Sequence, residues 1–417
     1  MRIQTEIGLL PEDWKVVRLE DEFKTFSTAS FSRDQMSDVG EVCCVHYGDI
    51  HTKYGNVVNA VIDEIPHISI AQAARYKNLK DGDLLLADAS EDDEGIGKPI
   101  AILCHGKKVI AGLHIIPLRK KDENMWHVTF PSYLFSGRMV KGQIERLSEG
   151  TKVNSITYNK IKDVLIPLPP KPEQERIAAA LTSIDSLIDN LERTIQKKKN
   201  IREGAMEELL SGKRRLPGFS GEWVEKKFEE LYKFAKEGGT PSTSNPEFYN
   251  NASIPFAKIE DLNNHYLTKT ENFINQNGID HSSAWLVPTG SLLLSNGATL
   301  GEVTITAVPL ATKQGILGVI VREQFSVEFL YYLLKTKDFK RKMEAITTHG
   351  TMDCAYLKDL KGIELYLPSD IHEQHAIADT LTALDDEIAL LQAERDKYLQ
   401  IRSGMMDDLL TGKIRLQ

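Results

Sequence analysis

The chain has 417 residues, of which 41% are hydrophobic and 27% charged, and its net charge is −9. It is too long for one compact core and ordinary in composition for soluble globular domains, so two or three domains are expected. The short apolar runs and the polar first residues argue against a membrane span and a secretory leader, and the negative balance weighs mildly against nucleic acid, although binding depends on where positive charge sits.

The first block, residues 1–168, has short β-rich runs: Val42-Cys43-Cys44-Val45, Leu84-Leu85-Leu86 and Ile100-Ala101-Ile102-Leu103. Glycines punctuate them, and a helical piece is expected around Tyr133-Leu134-Phe135. A mixed α/β domain follows from that pattern. The four cysteines, Cys43, Cys44, Cys104 and Cys354, make no CxxC pair and have no zinc spacing. They read as reduced thiols in a cytoplasm.

Residues 169–216 form the next segment. Pro169, Pro170 and Pro172 fix the entry to a helix, and Glu173 and Glu175 complement its positive end. Ile177, Leu181, Ile184, Ile188 and Leu191 step by four and three, which is a heptad seam. The seam weakens at Lys198 and Arg202 and resumes at Leu209, and Gly212 suits a left-handed cap.

The second block, 217–368, repeats the plan of the first. Trp223 precedes Phe228 as Trp14 precedes Leu19, and Gly290-Ser291-Leu292-Leu293-Leu294 echoes Gly82-Asp83-Leu84-Leu85-Leu86. Gly350-Thr351 likewise echoes Gly150-Thr151. Further strand and helix signals are Ile316-Leu317-Gly318-Val319-Ile320-Val321 and Phe329-Leu330-Tyr331-Tyr332-Leu333-Leu334.

Residues 369–417 return the first helix. Ser369 or Asp370 is the expected cap, Ile377, Leu381, Leu384, Ile388 and Leu391 are the seam, and Gly412 is the stop. Residues 173–216 align with 373–416 without a gap, and about 20 of the 44 positions are identical. The fold class is therefore α+β: two mixed α/β domains separated by two long helices with matching seams that form a coiled coil; connectivity alone allows either direction, and a pseudo-two-fold relation between the halves requires an antiparallel coiled coil. Such symmetry places the C-terminus near the start of the first block.

Common catalytic motifs do not appear. Gly95-Ile96-Gly97-Lys98 lacks the spacing of a phosphate loop. Asn245-Pro246-Glu247-Phe248 lacks the second proline of an amino-methyltransferase motif and reads as a turn. The acidic run Glu91-Asp92-Asp93-Glu94 reads as a solvated loop, not a metal site. His46, His51, His105 and His114 have no metal-ligand spacing. The absence of every common motif shifts the reading toward binding and away from catalysis, cofactor or metal.

Several segments resemble the specificity (S) subunit of type I restriction-modification enzymes. They are Pro-Leu-Pro-Pro-Lys-Pro-Glu-Gln-Glu-Arg-Ile-Ala at 167–178, the paired Leu-Leu-Ser/Thr-Gly-Lys helix ends, Gly238-Gly239-Thr240-Pro241-Ser242 and Thr312-Lys313-Gln314-Gly315. The resemblance covers essentially the whole chain. It implies that each block is a target recognition domain reading one half of a split DNA sequence, with the helices as spacer. It also implies two methyltransferase (M) subunits that carry S-adenosylmethionine, motor-nuclease (R) subunits, and no catalytic residues in this chain.

Bidentate side chains and cations are the expected readers of base edges and phosphates. Candidates are His51, Lys53, Tyr54 and Lys98 in the first block, and Asn263, Asn264, His265, Tyr266, Lys313 and Gln314 in the second. The acids Asp385, Asp386, Glu387, Asp407 and Asp408 mark an expected protein-docking face. Two other classes stay open: a single-chain DNA-modifying enzyme with an unrecognised site, and a coiled-coil scaffold that binds no DNA.

Overall fold

The computed structural model describes residues 1–416 except 93–94, 151–152, 298 and 348–353. The echo of Gly150-Thr151 in Gly350-Thr351, and part of the acidic run, fall outside the described residues. The chain divides into two compact units, 1–193 with 393–417, and 194–392.

In the first unit a five-stranded sheet joins β1 (Phe23–Thr25), β3 (Val57–Asn59), β5 (Leu84–Ala87), β6 (Pro99–Leu103) and β8 (Ile115–Lys120) in the order β1-β8-β5-β6-β3. A three-stranded sheet places β2 (Val42–Val45) between β4 (His67–Ile68) and β7 (Val109–Ala111). Leu84, Leu85, Leu86 and Ala87 are all fully buried, which is why that run reads as continuous apolar sequence. Helix α1 (Phe130–Ser136) covers the sheet with Phe130, Tyr133 and Leu134. Lys15–Arg18 pairs with Leu165–Leu168 and brings the two ends of this head together.

The second unit repeats this connectivity strand for strand. The large sheet contains β9 (Tyr232–Glu237), β11 (Tyr266–Leu267), β13 (Leu292–Ser295), β14 (Val303–Thr306) and β16 (Ile316–Val321), ordered β9-β16-β13-β14-β11. The small sheet places β10 (Ile254–Ala257) between β12 (Asn272–Ile274) and β15 (Ala311–Thr312). The parallel pairs also match: β6 with β3 and β7 with β2 in one head, β14 with β11 and β15 with β10 in the other. Helix α3 (Val327–Leu334) takes the part of α1. The sequence-predicted strands and helical pieces all form.

The two long helices are α2 (Lys171–Leu209) and α4 (Ile371–Leu410). Asp370, not Ser369, caps α4, its Oδ1 accepting from His372 N–H at 2.9 Å. Ser369 instead donates to the Glu222 carbonyl. In the first unit Asp185 of α2 pairs with Arg402 of α4, and Glu173 pairs with Arg415 beyond it. In the second, Arg202 pairs with Asp385, Lys198 with Glu387 and Arg215 with Glu373. Partner numbers rise on one helix as they fall on the other, so the helices run antiparallel.

The seam serves two purposes, where its heptad spacing alone predicts one. Ile177 and Leu181 join the core of the first head together with Leu409 and Leu410 of α4. Ile377 and Leu381 join the core of the second with Met206 and Leu209 of α2 and Leu210 just past it. Ile184, Ile188, Leu191 and Ile388 are buried farther along, whereas Leu384 and Leu391 are only half-buried. The first turns of one helix and the last turns of the other are thus core elements of each head, and the turns between them are strut.

The end of the chain meets its beginning, as the repeat predicts. Arg2 donates to the Thr411 carbonyl at 3.2 Å, and Arg415 pairs with Asp13 at 2.8 Å. Gly212 and Gly412 both close their helices with left-handed φ values of 71° and 61°. A Cβ on Gly412 would lie 2.3 Å from Pro11 Cγ, while one on Gly212 would meet the Trp223 ring no closer than 3.2 Å. Gly212→Ala should therefore cost about 1–2 kcal/mol from conformation alone, and Gly412→Ala distinctly more. Thermal unfolding of the two variants checks the order, and equal losses would contradict it.

Candidate nucleic-acid interface

Each head is bound to the helices by the same set of side chains. In the first unit the Tyr133 hydroxyl donates to Asp185 Oδ2 at 3.0 Å and meets Thr182 Oγ1 at 3.1 Å. Asp185 also accepts from Arg402 of the opposite helix at 2.5 Å, and Arg402 donates to Asn56 Oδ1 of the head at 2.7 Å. Asn56 is itself fixed by donating to the Ser132 carbonyl and the Ser136 hydroxyl. In the second unit Tyr332 donates to Asp385 at 2.9 Å beside Thr382, and Arg202 donates to Asp385 at 2.8 Å. Burial pushes both tyrosine hydroxyls well above the usual phenol range, so each stays a donor to its aspartate.

A second layer repeats in the same way. The buried Glu173 accepts from the Trp14 indole at 2.9 Å and from Arg415. The buried Glu373 accepts from Trp223 and from Arg215. Gln174 and Gln374 donate to the carbonyls of Pro169 and Pro368 and accept from His127 N–H and Ser326 N–H. Buried carboxylates are tolerable here because each is paired with a guanidinium and fully hydrogen-bonded.

A cleft of about 1360 Å³ lies within the first unit, between its head and the second half of α4. Its walls include His51, Asn56, Lys98, Arg138, Lys141 and Arg402. Part of that charge is matched: Arg138 lies 3.5 Å from Asp407, and Lys141 lies 3.6 Å from Glu145. Burial, with a contribution from Lys141, lowers the Lys98 pKa below the usual lysine value. The Lys98 ammonium donates to the His51 carbonyl at 3.0 Å.

The sequence-predicted readers divide into exposed and packed groups. His51 lies in a short helix with Nε2 2.9 Å from the Ala89 carbonyl. Lys53 is exposed and pairs with Glu64 at 3.1 Å. Tyr54 lies in a loop, but its side chain is buried in the core and its hydroxyl donates to the Glu64 carbonyl. Asn263, Asn264, Lys313 and Gln314 are exposed, and Asn263 donates to the Glu260 carbonyl. His265 is packed between the rings of Tyr266 and Tyr331, at 4.4 and 4.0 Å, with Nε2 buried and without a partner. Its burial lowers its pKa, so it stays neutral. Tyr266 is 42% exposed on the edge strand β11.

The expected acidic docking face is largely consumed by internal pairs. Asp385 and Glu387 bind Arg202 and Lys198, while Asp407 and Asp408 bind Arg138 and Lys413. Asp386 and Asp407 are the exposed members. Sequence reading missed Asn56, Arg138, Lys141 and the tyrosine-aspartate junction. The available signal was the pair Arg202 and Arg402, charges interrupting an apolar seam at the same place in both copies. Among the described residues no group of three or more His, Cys, Asp or Glu is arranged to hold a metal ion, and no helix is long and apolar enough to cross a membrane.

Two heads of one topology, each anchored on half of an antiparallel helix pair, define a class: a duplicated recognition module on a helical strut. A family model described as the type I restriction modification DNA specificity domain matches residues 11–200 and again 220–399. The chain belongs to that family. It is 27% identical over 439 residues to a provisionally named MjaX type I restriction enzyme specificity subunit of Methanocaldococcus jannaschii, covering 99% of this chain and 96% of the relative. It is 27% identical over 293 residues to the EcoR124I/EcoR124II specificity subunit of Escherichia coli, covering 66% and 68%. The fold is also that of the type I restriction-modification S subunit from M. genitalium, with a TM-score of 0.59 at 16% identity over 95% of this chain and 96% of that one.

The junction predicts measurable coupling. Asp185→Asn and Arg402→Met should each destabilise the first unit, and the double variant should lose less than their sum by about 1–2 kcal/mol. Denaturant unfolding in a double-mutant cycle measures this. Strictly additive losses would contradict a direct role for the pair.

Proposed function

We propose that this chain is the DNA sequence-specificity subunit of a type I restriction-modification complex, acting in the cytoplasm. Residues 1–168 and 217–368 are its two target recognition domains, and 169–216 and 369–417 are its spacer helices. Each head reads one half of a bipartite, asymmetric duplex target. Two methyltransferase subunits bring S-adenosylmethionine and perform the chemistry, restriction subunits complete the assembly, and this chain is not itself an enzyme.

One observation carries the reading: the same strand order and the same tyrosine–aspartate–arginine junction in both heads, under surface loops that differ. One frame used twice with different loops suits two different recognition tasks set at fixed positions on one support. The family match over both halves supports the same assignment, as do the relatives, whose names are those of specificity subunits. His51, Lys53 and Lys98 are the candidate contacts of the first head. Asn263, Asn264, Tyr266, Lys313 and Gln314 are those of the second. Cations would hold phosphates, and asparagine and glutamine would read adenine edges.

Asn263 and Asn264 are exposed, so replacing both with alanine should leave the head folded. In the complex with its methyltransferase subunits, this variant should lose about 1–3 kcal/mol of discrimination at one half-site only. Sequencing of methylated positions reads this out. A change at both half-sites, or at neither, would reject the assignment.

A further inference from the structure

The two heads differ at one loop, and their shared frame makes the difference readable. Asp88, just past β5, donates its N–H to the His114 carbonyl at 3.1 Å and accepts from Ile156 N–H at 2.9 Å. Asn296, just past β13, donates to the Gly315 carbonyl at 3.0 Å and accepts from Ala355 N–H at 2.9 Å. His114 and Gly315 therefore occupy the same position, one between β7 and β8, the other between β15 and β16. Both are left-handed, with φ values of 56° and 91°.

Glycine takes that conformation without steric cost. A Cβ at 315 would meet nothing closer than 3.8 Å, so glycine is there for its backbone and not for want of space. A histidine at the same position carries conformational strain that the frame does not require. Strain retained in one head and avoided in the other points to a use for the side chain.

The surroundings of His114 define that use. Its Nδ1 lies 3.1 Å from Asp88 Oδ1, while the side chain stays 45% exposed. Its ring meets Tyr47 edge-on at 5.1 Å and 74°, and Tyr47 meets His51 at 6.1 Å and 87°. These three rings and Lys98 all line the cleft of the first unit. An ionised carboxylate only accepts, so Asp88 draws the imidazole proton to Nδ1 and leaves Nε2 as an acceptor. In a major groove, acceptors are matched by the exocyclic amino groups of adenine and cytosine.

We propose that His114 is a specificity-determining residue of the first head, its Nε2 accepting from the amino group of an adenine or cytosine in the bound duplex. Asp88 is the positioning residue that fixes the tautomer, and Tyr47 holds the ring's orientation. The proposal rests on the first head being a DNA reader, as argued above.

The full chain, co-expressed with the methyltransferase subunits of its complex, is tested against a pool of duplexes randomised in two segments. The wild type should enrich adenine or cytosine at one position of one half-site. His114→Gly reproduces the residue found at 315 and relieves strain, so its fold is preserved. It should weaken that preference about tenfold or more and leave the other half-site unchanged. Asp88→Asn can accept from Nδ1–H or donate to Nδ1, so it no longer holds Nε2 as an acceptor, and the preference for amino bases should weaken. An unaltered preference in His114→Gly, or a loss spread over both half-sites, overturns the proposal. An Asp88→Asn variant that favours the amino bases as strongly as the wild type overturns the tautomer assignment. A wild type that enriches no bipartite sequence overturns the functional reading itself, and this proposal with it.

Discussion

The structure depends on a carboxylate shared between a head and two helices. Asp185 accepts from Tyr133 of the first head and from Arg402 of the opposite helix, and Asp385 does the same with Tyr332 and Arg202. Charges at these positions interrupt an apolar seam, which costs desolvation. The return is directional: a tyrosine hydroxyl and a guanidinium making two directed bonds, both to Asp385 from Arg202 and to Asp185 and Asn56 from Arg402, accept few geometries, whereas stacked leucines accept many. The junction thus fixes how a head meets the helices. Apolar burial of Ile177 and Leu181, or Ile377 and Leu381, supplies the adhesion.

That division of labour lets one scaffold carry two specificities. The sheet order, the covering helix, the cap glycine and the buried glutamate repeat from head to head, and changing them would disturb the core. The loops beyond the strand ends are under no such constraint. Asn56 and His265 show this at one position. Their carbonyls make the same backbone bond, to Ala101 N–H and to Ile305 N–H. Yet the asparagine side chain accepts from Arg402, while the imidazole is stacked between two tyrosines. Equal backbones with unlike side chains are what a duplicated reader of an asymmetric target requires.

Local physics made much of this frame legible in the sequence. Cap glycines, entry prolines and fully apolar strands act over a few residues, so the helix ends and β5, β13 and β16 are apparent from spacing alone. The seam is legible as a stripe, but its sharing between a head core and a strut is not, since it depends on Leu409 and Leu410 arriving from more than 200 residues away. Tyr54 and His265 look like loop readers because their neighbours are polar, and only the tertiary fold shows their rings packed away. The ion pairs of Asp385, Glu387 and Asp407 are illegible for the same reason, since Arg202, Lys198 and Arg138 lie on other elements. Within the candidate site, exposed residues such as Asn263 and Lys313 were accessible to sequence reasoning. The Asp88–His114 pair was not, because it is formed by a backbone crossing that no spacing rule reports.

A head replacement puts the whole account at risk in one step. The segment 217–368 is exchanged for a second copy of 1–168, with both helices kept, and methylated sites are mapped in cells that also contain the methyltransferase subunits. If each head reads independently from a common support, methylation moves to a target carrying the first head's half-site at both ends. Retention of the original asymmetric target would contradict that account.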